Sequence, residues 1–223
     1  MESPLMLDIP LSYLHRPAAP STPAPWLLVL LHGVGSQERD LFELHPFVPK
    51  AFHVLSLRAP HRVGPGAFAW FAFSVGPDGS RQIHESQEAE SRKQVAHAVE
   101  VAARELGVPP GRVVVGGFSQ GGIMALSLLL TRPELMRAAM VWHGRLLAQA
   151  LAPAAPPEAL QGKNLWVSHG LQDHVIPVAN AHAIREHVQG LPLQLAYAEF
   201  PGAHEIRPAE LQQAMTWLVG LMA

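Results

Sequence analysis

Cysteine is absent from the chain. That excludes a disulfide framework, a thiolate nucleophile and any cysteine-ligated metal. It does not by itself assign an oxidising or reducing compartment. Basic tracts are missing as well. The 16 basic and 18 acidic residues leave a net charge of −2, so nucleic acid is not expected as a partner. The longest apolar runs, Trp26 to Leu31 and the one ending at Leu130, fall far short of the ~20 residues that cross a bilayer, so no membrane span is expected. Met1 to Pro10 has no basic region leading into a long apolar stretch, so no signal peptide is expected and a cytoplasmic protein is the default. His182 and His187 lack an H-E-x-x-H frame, and His84-Glu85 has no second histidine at helical spacing, so no metal is expected. Phosphate-loop and dinucleotide fingerprints are also absent, and no cofactor is expected.

What the chain does contain is apolar mass. Of its 223 residues, 48% are hydrophobic, which rules out a disordered chain and suffices for one domain, residues 1–223, with a large core. Strand and helix patterns alternate. Trp26 to Leu31, His53 to Leu57, Ala138 to Trp142, Asn164 to Ser168 and Leu193 to Phe200 read as strands, and Leu11 to His15 as an edge strand. Asp40 to Phe47 reads as a short helix, and Ser86 to Leu106 as a long one with Val95, Val99, Ala102 and Leu106 on one face. Pro177 to Val188, opened by its proline, and Pro208 to Met222 complete the helices. This order predicts a mostly parallel central sheet with helices on both faces. His61 to Gly79 is expected to be a long loop without regular elements, whose Phe68, Trp70, Phe71 and Phe73 wall a pocket.

The chain is organised around Arg112-Val-Val-Val-Gly-Gly-Phe-Ser-Gln-Gly-Gly-Ile-Met-Ala-Leu126. Three valines predict a buried strand, and an apolar helix follows at Ile123 to Leu130. Between them, Gly117, Ser119 and Gly121 form a G-x-S-x-G turn in the strand-turn-helix context that gives the motif meaning. Such a turn strains the serine backbone and holds its hydroxyl clear of the sheet.

A serine nucleophile needs a base, and the base needs orienting. Asp173 is the one aspartate downstream of Ser119, and it lies just past a strand. Six histidines follow the serine: His143, His169, His174, His182, His187 and His204. His204 alone lies in a loop after the last strand, and the order serine, acid, histidine selects it as base. The negative oxygen of a tetrahedral intermediate needs donors, expected from the backbone N–H of Gln120 and of Val34 in His32-Gly-Val-Gly35. His32 itself is expected to brace that loop. Phe68, Trp70, Phe71, Phe73, Leu171, Val175 and Ile176 are the expected substrate wall.

These pieces resemble the carboxylesterase/acyl-protein thioesterase (phospholipase/carboxylesterase) family of α/β-hydrolases. The matching stretches are Leu31-His-Gly-Val-Gly35, Ala69-Trp-Phe71, Gly117-Phe-Ser-Gln-Gly-Gly122, His169-Gly-Leu-Gln-Asp173 with Val175-Ile-Pro177, and Gly202-Ala-His204. The resemblance implies a Ser119–His204–Asp173 triad with donors at Val34 and Gln120. Two departures, Ala72 after Trp-Phe and Trp142-His143-Gly144 in place of a usual Ser-Gly, are expected where substrate is gripped. The expected activity is hydrolysis of small-molecule carboxylic esters or thioesters with short to medium acyl chains. An amidase or peptidase could use the same triad, and a hydrolase-fold binding protein is the non-enzymatic alternative. A homodimer is an allowed assembly.

Overall fold

The computed structural model describes residues 6–77 and 81–223. Expectations for residues 1–5 in the Met1–Pro10 stretch and for 78–79 in the His61–Gly79 stretch lie outside the described residues. The chain begins with β1 (Tyr13–Arg16), β2 (Trp26–Leu31), α1 (Arg39–Phe42) and β3 (Phe52–Leu57). Four short strands follow: β4 (His61–Gly64), β5 (Ala67–Ala69), β6 (Phe73–Val75) and β7 (Arg81–Ile83). Then come α2 (Glu85–Glu105), β8 (Val113–Phe118), α3 (Gln120–Thr131) and β9 (Ala138–Trp142). β10 (Asn164–Gly170), α4 (Ala179–Val188), β11 (Gln194–Phe200) and α5 (Pro208–Gly220) close the sequence.

Seven strands form one sheet in the order β1-β3-β2-β8-β9-β10-β11. Only β1 runs antiparallel to its neighbour; the other pairings are parallel. Successive side chains on a strand face opposite ways, and both faces of this sheet are covered. Thus Leu27, Val29 and Leu31 of β2 join Val95 and Val99 of α2 and Met124 and Leu128 of α3. Leu28 and Leu30 turn to the other side, with Trp142, Trp166 and the α5 residues Ala214 and Leu218. A strand buried on both faces has no use for polar alternation, which is why β2 reads as Trp-Leu-Leu-Val-Leu-Leu. Parallel strands end on the same edge, so the segments after β2, β8, β9, β10 and β11 meet there. Val34, Ser119, His143, Asp173 and His204 all lie in those segments.

Several boundaries shift from those expected. The short helix is confined to Arg39–Phe42, and α4 begins at Ala179, so Pro177 precedes that helix and does not open it. The larger correction is the stretch from His61. It is not an irregular loop: β4 pairs with β5, and β6 with β7, as two antiparallel hairpins. Gly66, with φ of 67°, sits between β4 and β5 and supplies a conformation that other residues rarely adopt. Counted as a breaker, that glycine hides the strands it connects.

The β1–β3 edge carries a titratable contact. The Ala18 N–H donates to His53 Nδ1 at 3.3 Å, so Nδ1 is an acceptor and His15 Nε2–H donates to it at 3.1 Å. Protonating His53 would break both bonds. Burial, followed by the nearby His15 and Arg16, lowers its pKa from 6.5 to about 4. Between those values the unfolded chain takes up a proton that the folded chain refuses. The stability is therefore fully present above pH 6.5 and lost as pH falls towards 4. Discounted for partial solvation, it amounts to about 1–2 kcal/mol, or roughly 3–6 °C in Tm. Melting curves of wild type and His53→Gln between pH 4 and 7 check this. The variant is expected to show the flatter profile, and parallel profiles would remove His53 from the account.

Candidate active site

Ser119 is the hinge between β8 and α3. Its φ of 54° and ψ of −117° lie outside the regions that side-chain-bearing residues favour, a strain of about 1–3 kcal/mol. The flanking glycines make the turn possible. A Cβ on Gly117 would sit 2.3 Å from the Gly121 carbonyl, and one on Gly121 would sit 1.8 Å from Leu31 O at the end of β2. The serine thus stands over the edge where β2 ends and the loop after it begins.

A hydrogen-bonded line runs inward from this serine. His204 Nε2 lies 2.9 Å from Ser119 Oγ, and His204 Nδ1 lies 2.6 Å from Asp173 Oδ2. The other carboxylate oxygen, Oδ1, accepts the Val175 and Ile176 N–H groups at 2.9 and 2.8 Å. These bonds lock the carboxylate plane. Burial alone would raise the Asp173 pKa, but hydrogen bonds from His204, His143 and the Ile176 N–H outweigh it, and the carboxyl lies below its usual range.

Two further histidines surround the same carboxylate. His143 Nδ1 lies 2.9 Å from Asp173 Oδ2, and its Nε2 lies 3.4 Å from Glu210 Oε2. His169 Nε2–H donates to Ile176 O at 2.6 Å and lies 3.3 Å from Asp173 Oδ2. Burial lowers the pKa of His169. Burial also opposes the charge on His143, but Glu210 and then Asp173 reverse that, and its pKa is raised. Glu210 is fully buried in the first turn of α5, and its Oε1 accepts Ser168 Oγ–H at 2.6 Å. The ligand-type atoms of His143, Asp173 and His204 lie within 4.8 Å of one another. Both imidazole Nδ1 atoms already meet Asp173 Oδ2 in hydrogen bonds, so the cluster is a proton-linked network.

The loop after β2 is tied down beside the serine. Ala59 N–H donates to His32 Nε2 at 3.0 Å, as expected of a bracing residue. Phe68 exchanges main-chain bonds with this loop: the Gly35 N–H donates to Phe68 O at 2.8 Å, and the Phe68 N–H donates to Ser36 O at 2.9 Å. Val34 is exposed on the narrow cleft that Ser119 and Gln120 also line, and its N–H takes part in no backbone bond among the described residues. The N–H of Gln120, first in α3, has no acceptor within the helix.

Sequence comparison matches residues 16–221 to the phospholipase/carboxylesterase family. The chain belongs to that family. A probable carboxylesterase of Oryza sativa is 30% identical over 155 residues, covering 67% of this chain and 64% of that protein. An acyl-protein thioesterase 1 of Gibberella zeae is 30% identical over 115 residues, 50% of this chain and 49% of that protein. The match thus spans less than two thirds of the length of either relative. In three dimensions, the carboxylesterase from Mesorhizobium loti superposes with a TM-score of 0.81 over 97% of this chain and 98% of that one, at 21% identity. That likeness establishes the α/β-hydrolase fold.

Within this family member, the expected substrate wall divides. Phe71, Phe73 and Ile176 line the cleft beside Ser119. Val175 lines the recess that adjoins it. Phe68 packs under the Arg58 guanidinium, 4.8 Å from its ring centre, and Leu171 is exposed; neither lines these cavities. Trp70 is wholly buried in the core. Its Nε1–H donates to His32 O at 2.9 Å, its N–H to Gln120 Oε1 at 2.7 Å, and its carbonyl accepts Ser91 Oγ–H at 2.5 Å. Trp70→Ala is expected to cost about 3–5 kcal/mol of stability and to slow all esters alike. A melting curve beside a chain-length series of p-nitrophenyl esters checks it. Loss confined to long chains, at unchanged stability, would return Trp70 to the substrate wall.

The Trp142-His143-Gly144 departure also needs correcting. His143 is not where substrate would be gripped; it is buried behind Asp173, away from the cleft lining. Sequence reasoning likewise passes over His169, which lies beside Asp173, and Glu210, which is linked to Asp173 through His143. The His143 partners Asp173 and Glu210 lie 30 and 67 residues away, and no local pattern carries that information. The departure at Trp142-His143-Gly144 from the pattern that the resemblance implies was the available signal.

Proposed function

We propose that this chain, acting as a single domain over residues 1–223, is a serine hydrolase of carboxylic esters and thioesters with short to medium acyl chains. Ser119 Oγ attacks the acyl carbonyl while His204 Nε2 takes its proton. Asp173 holds the His204 Nδ1–H and stabilises the imidazolium that forms. The N–H groups of Val34 and Gln120 receive the negative oxygen of the tetrahedral intermediate. His204 then returns its proton to the leaving alkoxide or thiolate. Water, activated by the same imidazole, releases the acid from the acyl-enzyme. Phe71, Phe73 and Ile176 contact the acyl chain.

The observation that carries this reading is the unbroken line from Ser119 Oγ through His204 to Asp173 Oδ2, at 2.9 and 2.6 Å. The strained serine backbone supports it, because strain of this kind collects at functional sites. The test is labelling by a fluorophosphonate, read by intact mass, beside a panel of acyl esters, thioesters and amides. One adduct per chain on Ser119 and turnover of esters are expected. An unlabelled serine, or cleavage of amides without esters, would refute the reading. No helix among the described residues is long and apolar enough to cross a membrane. Cell fractionation and sizing test the cytoplasmic setting and the homodimer that complete the proposal.

A further inference from the structure

The cleft beside Ser119 has two arginines among otherwise apolar and amide walls. Arg81, at the start of β7, and Arg145, three residues past the end of β9, both line the cleft that holds Ser119, Phe71 and Phe73. The same two residues, with Ile176, line the adjoining recess of about 370 Å³. The two cavities therefore adjoin at the arginine pair. No aspartate or glutamate lines either cavity among the described residues.

Among the described residues, the guanidinium groups are not used up by the fold. Arg81 gives Nη2–H to Val175 O at 2.8 Å and lies over the Phe73 ring, 5.2 Å from its centre. Those contacts fix its position and, among the described residues, engage one of its five N–H donors. Arg145 is half-buried and has no hydrogen bond or ion pair among the described residues. Burial and then the charge of Arg81 push its pKa down. A half-buried Arg145 beside an exposed Arg81 places two like charges on one recess, an arrangement that an anion relieves. Arginine suits that anion because its planar fork binds carboxylate or phosphate through paired bonds.

We propose that Arg81 and Arg145 form an anion subsite beside Ser119, and that the preferred substrates are esters carrying a carboxylate or similar anionic group a short distance from the scissile carbonyl. This rests on the serine-hydrolase reading above and names its substrate class. The anion can belong to the acyl half, as in a monoester of a dicarboxylic acid, or to the alcohol half, as in an ester of a hydroxy acid.

Two matched substrate pairs test it. Mono-p-nitrophenyl adipate is compared with its twin in which the free carboxylate is capped as a primary amide. The butanoate ester of 3-hydroxypropanoate is compared with its own amide-capped twin. The reading is the ratio of kcat/KM for free over capped acid, in wild type, Arg81→Gln, Arg145→Gln and Arg145→Lys, at neutral pH and low salt. A charge-assisted pair predicts a ratio of roughly tenfold or more in wild type for at least one pair. The pair that shows it identifies the half of the substrate that bears the anion. Either glutamine variant is expected to bring that ratio close to one, and Arg145→Lys to retain part of it. Added salt should lower the wild-type ratio. Ratios near one in wild type for both pairs, or ratios unaffected by both glutamine substitutions, overturn the subsite while ester turnover stands. Failure of every ester together with an unlabelled Ser119 overturns the hydrolase reading itself, and the subsite with it.

Discussion

Ser119→Ala is expected to lower ester turnover by ~10⁴-fold or more and to abolish fluorophosphonate labelling. The melting temperature should barely move. Alanine inherits the strained φ of 54°, and the lost hydroxyl bond to His204 lies at a partly solvated site. A companion variant separates strain from chemistry. Ser119→Gly is equally inactive, yet glycine tolerates that φ, so it should melt higher than Ser119→Ala despite its greater freedom in the unfolded chain. The measurement is a pair of melting curves beside initial rates on one p-nitrophenyl ester. Turnover within tenfold of wild type in either variant would end the assignment of Ser119 as nucleophile.

The second large effect is expected at the acid. Asp173→Asn preserves an oxygen for the Val175 and Ile176 N–H groups, so the turn after β10 should survive. Its amide would face His204 Nδ1 and His143 Nδ1 with donors where an acceptor stood. That favours the wrong tautomer of the base, and kcat is expected to fall on the order of 10⁴-fold. KM should change far less, because the carboxylate does not line the cleft. The buried His143 also loses one of the two carboxylates that favour its charge. A lower melting point should therefore accompany the kinetic loss, with the gap closing as pH rises and His143 sheds its proton in wild type too. Near-normal kcat in Asp173→Asn would require another acid.

The sequence was most legible where one strand meets one turn. β2 and β9 carry their boundaries in continuous apolar runs, and the elbow carries its own steric logic in Gly117 and Gly121. Chain order then selected His204 from six histidines, and the structure brings it within hydrogen-bonding distance of both Ser119 and Asp173. Less was legible where contacts cross the sheet edge. The aromatic stretch after His61 contains no period that separates Trp70, pinned inward by three hydrogen bonds, from Phe73, facing the cleft. The surroundings of Asp173 depend on β9, β10, β11 and α5 arriving together. Arg81 and Arg145 reach one cavity from segments 64 residues apart, and neither stands in a motif.

Glu210 lies in the first turn of α5, and Trp217 lies two turns further along the same helix. When this helix seats against the sheet, Glu210 arrives beside His143 and Ser168, and Trp217 comes within 6.0 Å of Trp166 ring to ring. The indole pair is therefore an internal optical gauge for the completion of the buried carboxylate–histidine network. In a refolding experiment, the fluorescence difference between wild type and Trp217→Phe would time the seating of the helix. Esterase activity should return no earlier than that signal, because the ordering around Asp173 that supports the base is incomplete until the helix is home.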